Sequence, residues 1–351
     1  MPTASISKGK SKKRRGLGLR ILKYSLLGIG SIVLLLIALV AWIYISLIAG
    51  PDLMEMSDFH PFKSSAAKTR YLAFEDQMAR KWPIVSEEKT VRTSYGLTFL
   101  RISGPVNGQP LVLLPGGGTN SLIWQANIEA LSTVYRTYAL DNIADFGRSV
   151  FTRKIETADD YSQWLDELFN TLDLGSNIRL MGYSYGGWIT SQYAIRHSDR
   201  LSKVVLVAPA FTILPVSGGF MFRMLIGILP SKTLIRSTIY WVWDDLVKSG
   251  PAGKAIADER VEFLSIAYKS FKFKTGVNPI VLDNSDLKKL KMPVLFLMGE
   301  NEKICDPHQA IDRLKKVVPA VQAELFTGTG HDLLFTHADK MNALVLEFLK
   351  E

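Results

Sequence analysis

Three sites in this sequence hold residues that could do chemistry together: Ser184 within Gly182-Tyr183-Ser184-Tyr185-Gly186, His331 at the end of Gly328-Thr329-Gly330-His331, and an acid in the loop after Gly299. A neutral serine hydroxyl is a poor nucleophile. It needs an imidazole to take its proton, and the imidazole needs a carboxylate to fix its tautomer and stabilise its charged form. Ser184 lies where the apolar run beginning at Ile178 turns sharply through glycines into a helical pattern. Such a strand–turn–helix holds the serine in a strained backbone conformation with its hydroxyl clear of the sheet. The neighbours must be small because strand and helix approach closely there, and Gly182, Gly186 and Gly187 supply the space. Gly-x-Ser-x-Gly by itself occurs in many unrelated proteins; the strand before it and the helix after it give it weight.

The sequence holds five histidines. His60 falls near an apolar amino-terminal run, His197 at a helix end, His308 on a helix and His337 at the start of the last helix. Only His331 occupies a Gly-rich loop directly after a strand. For the acid, Glu302 and Asp306 compete. Glu302 stands in the loop leaving the strand Pro293–Met298, whereas Asp306 precedes Pro307 and suits the cap of the following helix. No carboxylate follows the preceding strand at Ala208-Pro209-Ala210. The cluster Pro115-Gly116-Gly117-Gly118 reads either as a flexible turn or as a place where backbone N–H groups can face a developing oxyanion.

These residues need a scaffold that brings loops from distant parts of the chain together. Val91–Ile102, interrupted at Tyr95-Gly96, predicts a β-hairpin; Leu111–Leu114 predicts a strand buried on both faces. A helix around Trp124–Leu131, a strand Arg136–Leu140, an amphipathic helix Tyr161–Leu172, the strand before Ser184 and the strand Lys203–Val207 follow. The alternation breaks over 211–290, which holds helical stretches at Phe220–Leu229, Thr233–Val247 and Val261–Phe271. It resumes at Pro293–Met298 and Ala323–Phe326. Strands alternating with helices imply an α/β, doubly wound, mostly parallel sheet, with ligands at the carboxyl ends of its strands. The helical insertion reads as a lid over that end, in which Phe220, Phe222, Trp241 and Trp243 could line an acyl pocket or simply pack.

From about Val85 to Glu351 the chain resembles the α/β-hydrolase superfamily, within the group of lid-bearing carboxylesterases and related hydrolases. The elbow around Ser184, the loop Asp141…Gly147-Arg148-Ser149, the Gly-x-x-Glu302 loop and Gly-x-Gly-His331 match in order and spacing. The resemblance implies an oxyanion hole built from the N–H of Tyr185 and one from the loop after the third strand. There the superfamily usually has His-Gly-x and this chain has Pro115-Gly116-Gly117, which makes Gly117 the donor, with Gly118 as the alternative. It implies a Ser184–His331–Glu302 triad acting on an ester or similar acyl bond through an acyl-enzyme, with no cofactor and no metal. A serine at the elbow argues against the dehalogenase and epoxide-hydrolase chemistries of the superfamily, which use a carboxylate nucleophile. The alternative class is a non-catalytic sensor or scaffold on the same fold, against which a complete triad argues.

Bulk properties set the remaining bounds. The net charge of the 351-residue chain is +9, and all but one of those charges is matched by the eight Lys and Arg of residues 1–23. The rest is nearly neutral and has no electrostatic footprint for nucleic acid. Cys305 is the only cysteine, so no intrachain disulfide can form. Tyr24–Gly50 carries no charge and is long enough to span a bilayer as a helix; it is too long for the apolar part of a cleaved signal peptide. Basic residues precede it, and Asp52, Glu55 and Asp58 follow, which predicts a single-pass membrane anchor with its amino terminus cytoplasmic and the catalytic domain extracytoplasmic. The expected organisation is a basic tail 1–23, a transmembrane helix 24–50, a connector 51–84 with an amphipathic helix over Ser64–Trp82, a hydrolase core at 85–210 and 291–351, and a lid at 211–290. Its partners are then a small acyl substrate and, through 24–50, the membrane; oligomeric state is not legible.

Overall fold

Short runs, most of them apolar and bounded by glycine, proline or polar turns, form one nine-stranded sheet. The computed structural model of the chain describes residues 57–272 and 277–350, plus positions 23–25, 28, 30 and 31 of an amino-terminal unit spanning 1–53. Apart from those positions, the basic tail and the expected span Tyr24–Gly50 lie outside the described residues. Among the described residues no helix is long and apolar enough to cross a membrane.

The strands are β1 (Glu87–Thr93), β2 (Gly96–Ser103), β3 (Pro110–Leu114), β4 (Arg136–Leu140), β5 (Val150–Phe151), β6 (Ile178–Tyr183), β7 (Leu201–Val207), β8 (Val294–Gly299) and β9 (Gln322–Phe326). They lie in the order β1-β2-β4-β3-β6-β7-β8-β9, with β5 beside β2. β1 and β2 are the expected hairpin, and β2 is antiparallel to β4 and β5. From β4 to β9 every pairing is parallel. The chain leaves β3 towards β4 on one side, whereas β6 leads to β7 on the other, so the order reverses between β3 and β6. Ligands of open α/β sheets bind at such a reversal, outside the carboxyl ends of the strands.

Both faces of the sheet are covered, as continuous apolar strands require. Leu111, Leu113, Val205, Val207, Leu295 and Leu297 point into one core with Trp124, Leu131, Val345 and Phe348. Their neighbours Val112, Leu114, Val204, Leu206 and Phe296 point into the other, with Trp164, Phe169, Trp188 and Tyr193. The helices Ala158–Thr171 and Tyr185–Arg196 cover that second face, the former opened by a Thr157–Asp160 capping box.

The structure departs locally from the expected pattern. The helix expected at Trp124–Leu131 is a 3-10 turn, Ser121–Ala126, followed by a short helix, Ile128–Leu131. At the break, the buried Asn127 amide donates to the Leu334 carbonyl and to Asn342 Oδ1. Between β7 and β8 lie the helices Gly218–Gly227, Lys232–Val242, Asp244–Lys248, Pro251–Ser270 and Asn284–Leu287. The run Thr233–Val247 is broken at Trp243, where φ −106° and ψ 45° leave the helical region. Val261–Phe271 overlaps the second half of a longer helix begun by Pro251, whose fixed φ suits a first turn. Phe222, 65% exposed, lines no interior, whereas Phe220 and Trp243 are buried.

The connector helix, Ser65–Ala79, carries an unexpected charge. Tyr71 packs against Phe263 and Phe271, and Glu75 is fully buried beside it. Glu75 pairs with Arg101 at 3.1 Å and Arg148 at 2.6 Å; these reach on to Glu88 and Asp76 respectively. Burial, reinforced by the Asp141 charge, raises the Glu75 carboxyl to about 7, with Arg148 and Arg101 opposing. The folded state therefore holds the Glu75 proton more tightly than the unfolded chain. Its contribution to stability is complete below the ordinary carboxylate range and is lost as pH rises through about 7. The wild type should accordingly lose stability relative to Glu75→Gln between about pH 5 and about pH 8, at up to about 1.4 kcal/mol per pH unit. Urea midpoints of the two proteins across that window measure it, and a pH-independent difference would contradict it.

Candidate active site

The turn after β6 is set by close packing. A Cβ on Gly182 would sit 2.3 Å from the Gly186 carbonyl oxygen, and one on Gly186 would sit 2.4 Å from that of Pro115. Only glycine fits at either position. Ser184 has φ 53° and ψ −119°, a conformation that L residues rarely adopt and that costs on the order of 1–3 kcal/mol. Its neighbours hold it there. The Ser184 N–H donates to the Val207 carbonyl at 2.9 Å, and its own carbonyl accepts from Gly187, Trp188 and Ala210 at 2.9, 3.2 and 3.1 Å. The hydroxyl is thus presented on a half-buried residue at the first turn of the helix Tyr185–Arg196.

His331 meets this hydroxyl from the loop after β9. Its Nε2 is 2.9 Å from Ser184 Oγ, and its Nδ1 is 2.9 Å from Glu302 Oε2. The Lys303 and Ile304 N–H groups donate to Glu302 Oε1 at 2.8 and 2.9 Å. Burial pushes the Glu302 carboxyl up, but His331 and these two N–H groups outweigh it and hold it below its ordinary value. An ionised Glu302 only accepts, so Nδ1 carries the proton and Nε2 is free to accept from Ser184. The ring stacks on Tyr183, with centroids 4.9 Å apart, and the Tyr183 hydroxyl donates to the His331 carbonyl at 2.7 Å. Asp332 fixes the same loop by accepting from the N–H groups of Leu246 and Gly330 at 2.6 and 3.2 Å.

Asp306, the rival acid, caps the helix Pro307–Val317 by accepting from the Gln309 N–H at 3.0 Å. Among the other histidines, His60 bonds the Phe151 carbonyl, His197 stacks on Tyr193, His308 lies on the helix after Asp306, and His337 packs beside Phe326. None of these contacts reaches Ser184. Of the four aromatic residues singled out between β7 and β8, Phe220 has its ring 6.5 Å from that of His331.

The loop after β3 runs alongside. A Cβ on Gly117 would touch the Tyr185 Cβ at 3.4 Å, so Gly117 lies against the residue after the serine. The Gly118 N–H is already committed to Asp145 Oδ2 at 2.7 Å. Among the described residues neither the Gly117 nor the Tyr185 N–H is used within the protein. The structure thus brings together Ser184, His331, Glu302, Gly117 and Tyr185. Sequence reasoning missed Tyr183 and Asp332 as supports of the histidine loop, although both adjoin a recognised motif.

The chain is similar to known proteins over most of its length. Residues 109–338 match the family described as alpha/beta hydrolase fold. The chain is 30% identical over 294 residues to carboxylesterase YbfK of Bacillus subtilis (strain 168), covering 84% of this chain and 98% of that protein. It is 29% identical over 286 residues to the uncharacterised carboxylesterase nap of the same organism, covering 80% and 92%. The solved structure of naproxen esterase (carboxylesterase NP) from Bacillus subtilis superposes with a TM-score of 0.75 at 28% identity, over 82% of this chain and 99% of that one. This chain belongs to the alpha/beta hydrolase fold family, as a carboxylesterase-like member of it.

Proposed function

We propose that this protein is a serine hydrolase that cleaves carboxylic esters through Ser184, His331 and Glu302. The observation that carries the proposal is the unbroken series Ser184 Oγ–His331 Nε2 and His331 Nδ1–Glu302 Oε2, each link 2.9 Å. The similarity to carboxylesterases supplies the substrate class.

In this mechanism Ser184 Oγ attacks the ester carbonyl carbon while its proton passes to His331 Nε2. The carbonyl oxygen becomes an oxyanion that accepts from the Gly117 and Tyr185 N–H groups; the adjacent helix N-terminus favours the same charge. Collapse breaks the bond to the alcohol oxygen, which takes the proton from His331, and an acyl-Ser184 remains. Water then attacks that acyl group, giving a proton to His331, and a second collapse returns it to Ser184 and releases the acid. Glu302 stays ionised throughout, holding the tautomer and stabilising the imidazolium. The helices of 211–290 act as a lid over the carboxyl ends of the strands. The proposal for them rests on Phe220 beside His331 and on the Leu246 contact with Asp332.

The proposed location follows from the sequence alone: a single-pass anchor over Tyr24–Gly50, with the catalytic part extracytoplasmic. The basic residues before this run and the acids after it support that orientation.

Ser184→Ala should lower kcat on p-nitrophenyl esters by at least about 10⁴-fold with the fold intact. His331→Ala should cost about as much, and the double variant little more, because the residues act as a unit. Activity of Ser184→Ala within about tenfold of wild type would sink the assignment. Glu302→Gln should lower kcat by about 10³–10⁴-fold, whereas Asp306→Asn, which keeps a capping oxygen, should stay within about threefold. The reverse ranking would make Asp306 the acid. Protease added to intact cells should digest the chain beyond Gly50, while a catalytic part protected until the membrane is permeabilised would reverse the proposed orientation.

A further inference from the structure

The loop Gly116–Thr119 has a difficulty that its sequence does not resolve. A run of three glycines has no side chains to fix its peptide planes, and each plane can rotate at little steric cost. Rotation of the plane that bears the Gly117 N–H would turn a carbonyl towards the oxyanion. Yet every peptide of this turn is held. The Gly116 carbonyl accepts from the Thr119 N–H at 3.2 Å and from Thr119 Oγ1 at 2.6 Å. The Gly118 N–H donates to Asp145 Oδ2 at 2.7 Å, and the Gly118 carbonyl accepts from Arg260 Nη2 at 2.6 Å. Gly118 itself has φ +66°.

We infer that Asp145 and Arg260 are positioning residues, a charged pair of straps that pull the Gly118 N–H and carbonyl to their own sides and so hold the Gly117 N–H towards the oxyanion. The inference rests on the assignment of Gly117 as an oxyanion donor. The two straps come from different parts of the chain, Asp145 from the loop after β4 and Arg260 from the helix Pro251–Ser270 in the insertion between β7 and β8. Asp145 is itself fixed, its Oδ1 accepting from the Phe146 N–H at 2.7 Å. The Arg260 guanidinium lies against the rings of Phe263 and Trp243, at 5.0 and 6.0 Å. Burial lowers it to about 10, with the surrounding Tyr268, Asp145, Tyr183 and Tyr71 opposing, so it stays charged at neutral pH. The charges also balance chemically. A carboxylate beside an oxyanion hole would by itself disfavour the transition state, and a guanidinium on the other side of the same residue, bonded to the next peptide, offsets it. Because Arg260 belongs to the insertion, docking of that helix and formation of the oxyanion hole become one event.

An aliphatic trifluoromethyl ketone tests this directly, since its adduct with Ser184 places an oxyanion in the hole and its affinity reads the donors rather than ground-state binding. Asp145→Leu and Arg260→Met should each lower kcat about 10–100-fold, with KM within about threefold, and weaken ketone inhibition by the same factor. Asp145→Asn keeps an acceptor and Arg260→Lys keeps a charged donor, so both should recover most of the loss; both also stand in if the larger changes fail to fold. Wild-type ketone affinity in all four variants would overturn the inference. So would a rise in KM confined to anionic esters in the Arg260 variants, which would make Arg260 a substrate-binding residue. A wild type insensitive to the ketone, with Ser184→Ala still active, would instead overturn the underlying hydrolase mechanism.

Discussion

The positive φ of Ser184 is the constraint from which the rest of the site follows. Its cost, on the order of 1–3 kcal/mol, is sustained because the turn is hydrogen-bonded on every side, from Val207 at the end of β7 and from Gly187, Trp188 and Ala210. That geometry requires β6 and the following helix to approach within a distance that only glycine allows at 182 and 186. It also requires β3 to lie directly beside β6, so that Pro115 and the glycines after it border the serine. A single strained turn thereby places nucleophile, helix N-terminus and oxyanion loop together. The order reversal between β3 and β6 keeps the space above them open.

The other half of the site is built by two loops that secure each other. Gly299 and Gly330 allow the turns after β8 and β9 to touch; a Cβ on Gly299 would lie 2.4 Å from the Thr329 carbonyl oxygen. The Asn301 N–H donates to that same carbonyl at 2.9 Å, and the Glu300 N–H donates to Phe326 at 2.8 Å. Glu302 is therefore carried to His331 by backbone contacts and does not depend on its side chain to find the ring. Tyr183 then joins the two halves, since it precedes the nucleophile, stacks on the imidazole and bonds the histidine carbonyl. Asp332 extends the connection to the helix Asp244–Lys248.

Much of this was legible in the sequence because it is local. The hairpin β1–β2, the buried strands β3, β4, β7 and β8, the elbow and the Gly-x-Gly-His331 loop each declare themselves within ten residues or so, through apolar period and glycine placement. Asp306-Pro307 is a local helix-start signal, and Asp306 caps that helix as its sequence suggests. Contacts between distant segments were not legible. Nothing near Glu75 announces Arg101 and Arg148, and an acid on the apolar stripe of Ala67 and Tyr71 reads as an exposed position until the fold brings guanidinium groups to it. Asp145 and Arg260 are 115 positions apart and both reach Gly118. The two-residue strand β5 is likewise set by its pairing with β2, about 50 positions earlier, rather than by local propensity. The stretch Tyr24–Gly50, read from its composition as a span, lies almost wholly outside the described residues.

The central claim is that one serine, activated by one histidine, does the chemistry. Labelling with a fluorophosphonate followed by peptide mapping tests it most directly, because the reagent reacts with an activated serine and reports its position. The expected result is a single adduct on Ser184, in the tryptic peptide that follows Arg179, with labelling slowed sharply in His331→Ala. An unlabelled protein, or an adduct on any other residue, would contradict it.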